Sequence, residues 1–242
     1  MRFLENFVDL TTAKQAHSIQ SLFTRIASRY DLMNRLMTFG QDQRWRRDVI
    51  RCAALAPDAR LLDLGTGTGD LACTALREFS SVRVTAVDFT IEMLRRARRR
   101  DARPAWLSAD AACLPFPGQT FAAAVSGFLL RNVPDVAAVL REQFRLLQPG
   151  GRIVILDTTR PQPGIFAPLV WLHLHIIIPL LAWLVARRDA DYQYLRLSTE
   201  SFLPAEALAL HLQAVGFREV GFRRLMFGTV AIHWGVKQGA GS

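Results

Sequence analysis

Leu61 to Asp70 reads LLDLGTGTGD, and a second apolar run with an acidic end, VTAVDF at Val84 to Phe89, follows it. The first run enters a turn with glycines at 65, 67 and 69, and Asp88 lies 19 residues past Gly69. Glycines in such a turn permit positive φ and let backbone come close to a ligand. The helix expected next presents unpaired N–H groups at its start. An acidic residue about twenty positions on can accept both hydroxyls of a ribose. The stretch therefore reads as the opening βαβ unit of a nucleoside-binding sheet. A dinucleotide site asks for G-x-G-x-x-G, whose third glycine falls where this chain has Asp70. A phosphate loop needs G-K-[ST], and none follows. The plain alternative is a tight strand–helix turn with no ligand.

Around this stretch the hydrophobic pattern alternates. Strands are expected at 60–64, 82–87, 105–108, 121–128 and 152–157, with helices between them. One helix starts at an N-cap Asp135 and stops at Pro149-Gly150-Gly151. Strands alternating with helices imply a parallel sheet covered on both faces. Residues 1–55 read as helical, because Leu22, Ile26, Tyr30, Met33, Leu36 and Met37 recur near a 3.6-residue period. Pro204 to Val215 reads as a helix with proline near its first turn. Runs at 217–223 and 225–236 fit a hairpin-like end to the sheet.

Composition bounds the partners. A chain of 242 residues, 50% hydrophobic and 21% charged, suits one α/β domain and excludes wholesale disorder. Net charge +9 and a pI of about 10.6 fit an anionic partner: nucleic acid, anionic lipid or an acidic metabolite. Lysine occurs only at 14 and 237, so 28 of the 30 basic residues are arginine, a bias that GC-rich coding also produces. Cys52, Cys73 and Cys113 have no C-x-x-C spacing, which points to a reducing compartment and no metal site. MRFLENFVDL at the N-terminus carries Glu5 and Asp9, so it does not read as a secretory signal. A cytoplasmic protein is expected.

The G-x-G-x-G turn with Asp63 entering it resembles the class I S-adenosylmethionine-dependent methyltransferases, whose Rossmann-like sheet has seven strands, the last antiparallel. Further pieces narrow the resemblance: FTRIASRYDLMNRLMTFG (23–40), DAACLPFPGQTF (110–121), LLRNVPD (129–135), LQPGGRIVILD (147–157), YQYL (192–195) and GTVAIHWGVK (228–237). In this order they resemble the ubiquinone/menaquinone biosynthesis C-methyltransferases, which methylate a ring carbon of a polyprenyl quinol. The Y-D-x-M-N and L-R-N-V pieces are the specific ones. Four places depart from that family's usual pattern. Leu129 replaces a glycine, Asp42 a histidine, Arg196-Leu197 a Pro-Glu pair and Ala122 an aspartate. All are expected to surround the substrate more than the methyl donor.

The resemblance implies a single domain with a helical lid (1–55), a donor-binding core (56–161), an apolar substrate cap (162–203) and a closing helix with strands (204–237). It implies S-adenosyl-L-methionine as cofactor. Thr68, Gly65 and the N–H groups around Gly67 and Gly69 would hold the donor's amino-acid end, with Asp63 positioning the ammonium. Asp88, followed by Phe89, would take the ribose hydroxyls. Asp110 and Ala111 match the adenine position, against the alternative of a turn acid. Gly127 lies where the methionine portion passes, and Tyr30 and Asn34 would fold over the donor. Arg131 and Asn132 are the implied catalytic pair. A guanidinium is a poor base, but it stabilises the phenolate that makes a ring carbon nucleophilic. A water or a nearby carboxylate removes the proton. The alternative is an Arg–Asn pair that caps the next helix.

Ile165 to Ala186, IFAPLVWLHLHIIIPLLAWLVA, is 22 residues without Asp, Glu, Lys or Arg. Its length would admit a membrane span, but Pro168, Pro179, His173 and His175 interrupt it, and the strands after it must rejoin the sheet. It is read as a cap that receives a polyprenyl tail and touches the membrane surface, against a buried helix pair. His173 and His175, two apart, point to different helix faces. Zinc is therefore not expected there, and a role near the ring stays open. RRARRR at 95–100 reads as a solvated face, with lipid headgroups as the alternative. No aromatic stacking pattern interleaves these arginines, so no nucleic-acid partner is expected. The favoured reaction is demethylmenaquinol to menaquinol. Alternatives are the ubiquinone-pathway ring, a donor-binding inactive component of a quinone-synthesis assembly, and a basic RNA methyltransferase. Oligomeric state is not legible.

Overall fold

The computed structural model describes residues 21, 24, 30–161, 164–165, 167–178, 180–181 and 202–239. In chain order these form α1 (Tyr30–Met37), α2 (Asp42–Cys52), β1 (Arg60–Leu64), α3 (Asp70–Glu78), β2 (Arg83–Asp88), α4 (Ile91–Arg100), β3 (Ala105–Ser108) and β4 (Phe121–Gly127). They continue with a 3₁₀ turn (Leu130–Asn132), α5 (Val136–Leu146), β5 (Leu147–Thr158), α6 (Ala167–Leu172) and a π turn (His173–Ile177). α7 (Ala205–Val215), β6 (Phe217–Leu225), a 3₁₀ turn (Met226–Gly228) and β7 (Val230–Lys237) close the chain.

The seven strands form one sheet in the order β3-β2-β1-β4-β5-β7-β6. β1 to β5 run parallel, and β7 inserts antiparallel between β5 and β6. Alternate residues along each strand go to opposite faces, and both faces are apolar. Leu61, Val154 and Leu156 join Trp45, Val49, Leu71 and Ala75 on one side. Leu62, Leu64, Ile153 and Ile155 join Leu140, Leu208 and Leu212 on the other. Strand order reverses direction between β1 and β4, which pair directly. Open α/β sheets bind ligands at the carboxyl ends of the strands at such a switch point. The Gly-rich turn after β1 and the Leu-Arg-Asn turn after β4 flank it.

Expected and observed elements differ where local chemistry overrides pattern. α5 starts as read, with Asp135 accepting from the Ala138 N–H at 2.9 Å, but it ends at Leu146. β5 begins at once, and Pro149-Gly150-Gly151 lies inside it as a bulge between the Phe121–Leu147 and Ala123–Arg152 pairs. β4 stops at Gly127, because Phe128 turns to φ 58°. Leu22, Ile26, the YQYL piece, Arg196-Leu197 and residues 182–186 of the apolar run lie outside the described residues. Among the described residues no helix is long and apolar enough to cross a membrane.

The bulge makes a test. A Cβ on Gly151 would meet the Gln148 carbonyl at 2.8 Å and the Ala122 carbonyl at 3.0 Å, both rigid backbone. Gly150, at φ +78°, has open space around it. Gly150→Ala should cost about 1 kcal/mol through its backbone conformation alone. Gly151→Ala should cost about 1–3 kcal/mol, because the sheet must shift. Urea unfolding of both variants checks the order; equal losses would contradict the bulge packing.

Candidate active site

The turn after β1 folds around Asp63. This residue has no exposed surface, and its Oδ2 accepts from Thr66 Oγ1 at 2.5 Å and from the Ala72 N–H at 3.0 Å. Its Oδ1 is buried without a partner. Burial pushes the Asp63 carboxyl up to about 7, against the pull of those two hydrogen bonds, and the Asp88 and Asp70 charges add to the rise. Gly65, Gly67 and Gly69 all take positive φ, at 65°, 55° and 83°. A Cβ on Gly65 would lie 2.7 Å from Leu129 Cδ1 and 3.0 Å from its Cβ, so Leu129 would have to shift to admit one.

Asp88, at the end of β2, reaches back to this turn. Its Oδ2 accepts from the Gly67 N–H and its Oδ1 from the Thr90 N–H, both at 2.8 Å. Burial raises its pKa against these bonds. The Gly67 N–H, expected to face a ligand, is thus already engaged. Phe89 beside it is exposed. Thr68 is buried, and its hydroxyl donates to Asp31 Oδ1 of α1 at 2.5 Å, so the N-terminal helices do fold onto the turn. α1 starts at Tyr30, whose side chain lies outside the described set. Asp110 is exposed and accepts from the Ala112 N–H at 2.9 Å, which is the turn-acid geometry; Ala111 is half-buried beside it. Gly127 ends β4 against Leu71.

A layer of ion pairs that the sequence reading did not foresee locks α1, α2, α3 and α4 together. Arg46 pairs with Asp42 and, at 3.0 Å, with Asp70. Arg100 pairs with Asp70 at 2.5 Å and approaches Asp31 at 3.8 Å. Two expectations change. Arg100 belongs to this network, while Arg95, Arg96, Arg98 and Arg99 keep the solvated face. The family departures at Asp42 and Leu129 adjoin the Gly-rich turn and its helix, not the far side of the site.

Beyond β4, Asp157 at the end of β5 organises the second loop. Its Oδ2 accepts from the Leu130 N–H at 2.8 Å and the Arg131 N–H at 3.4 Å, and its Oδ1 from the Thr158 N–H at 2.8 Å. Arg131 Nε lies 4.0 Å from Oδ1, and the guanidinium stands 5.2 Å from the Phe128 ring centre. Burial raises the Asp157 carboxyl to about 6, opposed first by the Arg131 charge. Asn132 Nδ2 donates to the Phe128 carbonyl at 2.8 Å, closing the turn on itself. Asp157 was missed, although it ends an apolar run just as Asp63 and Asp88 do.

A cleft of about 70 Å³ opens here, with Arg131 on its wall. Asn34 and Met37 of α1, Thr38 just after it, Phe128, Thr158, Met226 and Val230 line it, with His173 and Leu174 of the π turn and Ile178 beyond it. Arg131 and Asn34 are therefore brought to one cavity, and Asn34 belongs to this side. His175 instead stacks on Trp171, with ring centres 5.0 Å apart and planes at 12°.

The arrangement can hold a methyl donor. An unpartnered buried carboxylate oxygen on Asp63 suits an ammonium, and the strand-end carboxylate of Asp88 suits a ribose. Comparison with known proteins agrees. The sequence profile described as the ubiE/COQ5 methyltransferase family matches residues 10–237. A ubiquinone/menaquinone biosynthesis C-methyltransferase UbiE from Desulfotalea psychrophila is 44% identical over 98% of this chain and 96% of its own length. A demethylmenaquinone methyltransferase from Thermus thermophilus is 40% identical over 88% of this chain and 99% of its own. Among solved structures, a SAM-dependent methyltransferase from Thermotoga maritima superimposes with a TM-score of 0.65 at 18% identity, covering 91% of this chain and 100% of that one. That likeness establishes the fold. The chain belongs to the ubiE/COQ5 methyltransferase family and is an S-adenosyl-L-methionine-dependent methyltransferase.

Proposed function

We propose that this protein methylates a ring carbon of a polyprenyl hydroquinone, converting a demethylmenaquinol to a menaquinol. The observation that carries the reading is the cleft that holds Arg131 among largely apolar walls, beside the switch point where the Gly-rich turn lies. Asp63, Gly65, Gly67, Thr68 and Asp88 form the donor side, with Phe89, Asp110, Ala111 and Gly127 completing it and Tyr30 and Asn34 on the lid. S-adenosylmethionine supplies, when bound, a methyl group on a sulfonium sulfur. Arg131 stabilises negative charge on the quinol oxygen and so lowers the hydroxyl's pKa. Asn132 holds the turn that presents Arg131, and Asp157 orients that turn from behind. α1 and the cap exclude water, which protects the reactive carbon.

The division into lid, core, cap and closing segment follows from this reading. So does peripheral contact with the cytoplasmic membrane surface. Ile165 is 89% exposed and Trp171 56%, and Leu169, Leu172, Ile176 and Leu180 are exposed beside them. The same segment supplies His173, Leu174 and Ile178 to the cleft, so the exposed apolar face and the cleft share one element. Replacing Leu169 and Trp171 together with glutamate should abolish co-sedimentation with anionic lipid vesicles while leaving donor affinity intact. Unchanged sedimentation would remove this face from membrane contact.

Methyl-labelled S-adenosylmethionine and a prenylated demethylnaphthohydroquinone test the function directly, with the benzoquinol as comparison. Label should appear on the naphthoquinol ring carbon; label on oxygen, or none, contradicts the reading. Arg131→Ala should lower the single-turnover rate at saturating donor about 100–1,000-fold. Arg131→Lys should restore part of it, because a point charge cannot reproduce the planar fork. Higher pH should also rescue the alanine variant in part, since hydroxide then ionises the quinol. A wild-type rate in Arg131→Ala would leave the residue a purely structural role.

A further inference from the structure

Neither residue of the expected catalytic pair can take the quinol proton. A guanidinium is protonated throughout the accessible pH range, and an amide such as Asn132 is no base. Asp157 is committed to three backbone N–H groups and does not line the cleft. His173 does line it. Its residue is 8% exposed and stands in the π turn that follows α6. Single π turns inside helices recur at functional sites. One ring nitrogen bonds the Met37 carbonyl, and Nδ1 is buried without a partner. A carbonyl only accepts, so the bonded nitrogen is Nε2–H and Nδ1 carries the lone pair. The Phe39 ring packs on the imidazole with ring centres 5.3 Å apart.

We propose that His173 is the general base of the methyl transfer, accepting the quinol hydroxyl proton on Nδ1 while Arg131 stabilises the oxygen left behind. The inference rests on the quinol-methylation reading. Two further residues that line the cleft, Asn34 and Thr158, carry buried polar atoms without partners, Asn34 Nδ2 and Thr158 Oγ1. A polar ring substituent is what such atoms would bind. His233 makes the contrast. Its Nδ1 is also buried and unpartnered, but it sits in the packing between β7 and α7 and does not line the cleft. Among the described lining residues Arg131 is the charged one, with Asp157 behind it. Burial lowers the His173 pKa, which favours the neutral ring with its free lone pair.

The step balances. The quinol O–H bond breaks, its proton goes to Nδ1, and the electron pair delocalises from oxygen to the adjacent ring system. The nucleophilic ring carbon forms its bond to the methyl group as the methyl–sulfur bond breaks, with sulfur keeping the pair. The same carbon then releases its hydrogen to solvent as a proton, and the imidazolium returns the first proton to oxygen. One proton is released per turnover.

The test uses the full chain with S-adenosylmethionine and the prenylated demethylnaphthohydroquinone. His173→Gln should lower the single-turnover rate about 100–10,000-fold, the usual range for a lost general base, with donor affinity unchanged. His173→Ala should recover rate when imidazole is added, saturably, because the vacated space admits the ring. In wild type with ¹⁵N-labelled histidine, the His173 Nδ1 resonance should show a lone-pair nitrogen at neutral pH and shift when product quinol is added. A wild-type rate in His173→Gln, a folded alanine variant that imidazole does not rescue, or an Nδ1 signal unmoved by quinol would overturn the assignment. Absence of ring methylation by wild type itself would instead refute the quinol reading.

Discussion

Asp63 is buried completely, yet it is the residue on which the Gly-rich turn is built. Burying a carboxylate is costly unless hydrogen bonds compensate, and here one oxygen is fully engaged while the other is left bare. That imbalance raises the pKa and leaves a site that a cation would complete. Asp88 and Asp157 repeat the device at the ends of β2 and β5, each accepting backbone N–H groups of a neighbouring loop. Three strand-end carboxylates thus fix the loops that converge on the switch point. Asp63 and Asp88 hold the Gly-rich turn, and Asp157 holds the turn that presents Arg131.

The ion-pair layer connects this framework to α1. Asp42, Arg46, Asp70, Arg100 and Asp31 run from α2 through α3 and α4 to α1, and Thr68 ties the end of the chain of contacts to the Gly-rich turn. Buried ion pairs add little net stability but break at high cost when one partner is lost. The layer is therefore better suited to fixing where α1 sits than to making the fold more stable.

Much of this was legible in the residues. The alternation of apolar runs gave the parallel core, because strands covered on both faces leave continuous hydrophobic stretches. LLDLGTGTGD and Asp88 marked the crevice, because three positive-φ positions in one turn are least costly as glycine. The Pro-Gly-Gly bulge was misread, since a helix stop and a strand bulge use the same residues and only the Phe121–Leu147 pairing distinguishes them. Asp157 and the pairs that Arg46 and Arg100 make with Asp70 stayed hidden for a different reason, unlike Arg46–Asp42, which is four residues apart in α2. Their roles depend on partners 26 to 30 residues away or on another helix, and local spacing carries no record of those meetings. In a chain with 28 arginines no single one stands out.

The central claim is that the bare oxygen of Asp63 awaits the ammonium of the donor. A pH titration of the Asp63 side-chain carboxyl by ¹³C NMR, with and without S-adenosylhomocysteine, tests it most directly. In the free protein the midpoint should lie near 7. Bound ligand should lower it, because a neighbouring cation favours the ionised form. A free-protein midpoint in the ordinary carboxylate range, or one that the ligand leaves unmoved, would contradict the account.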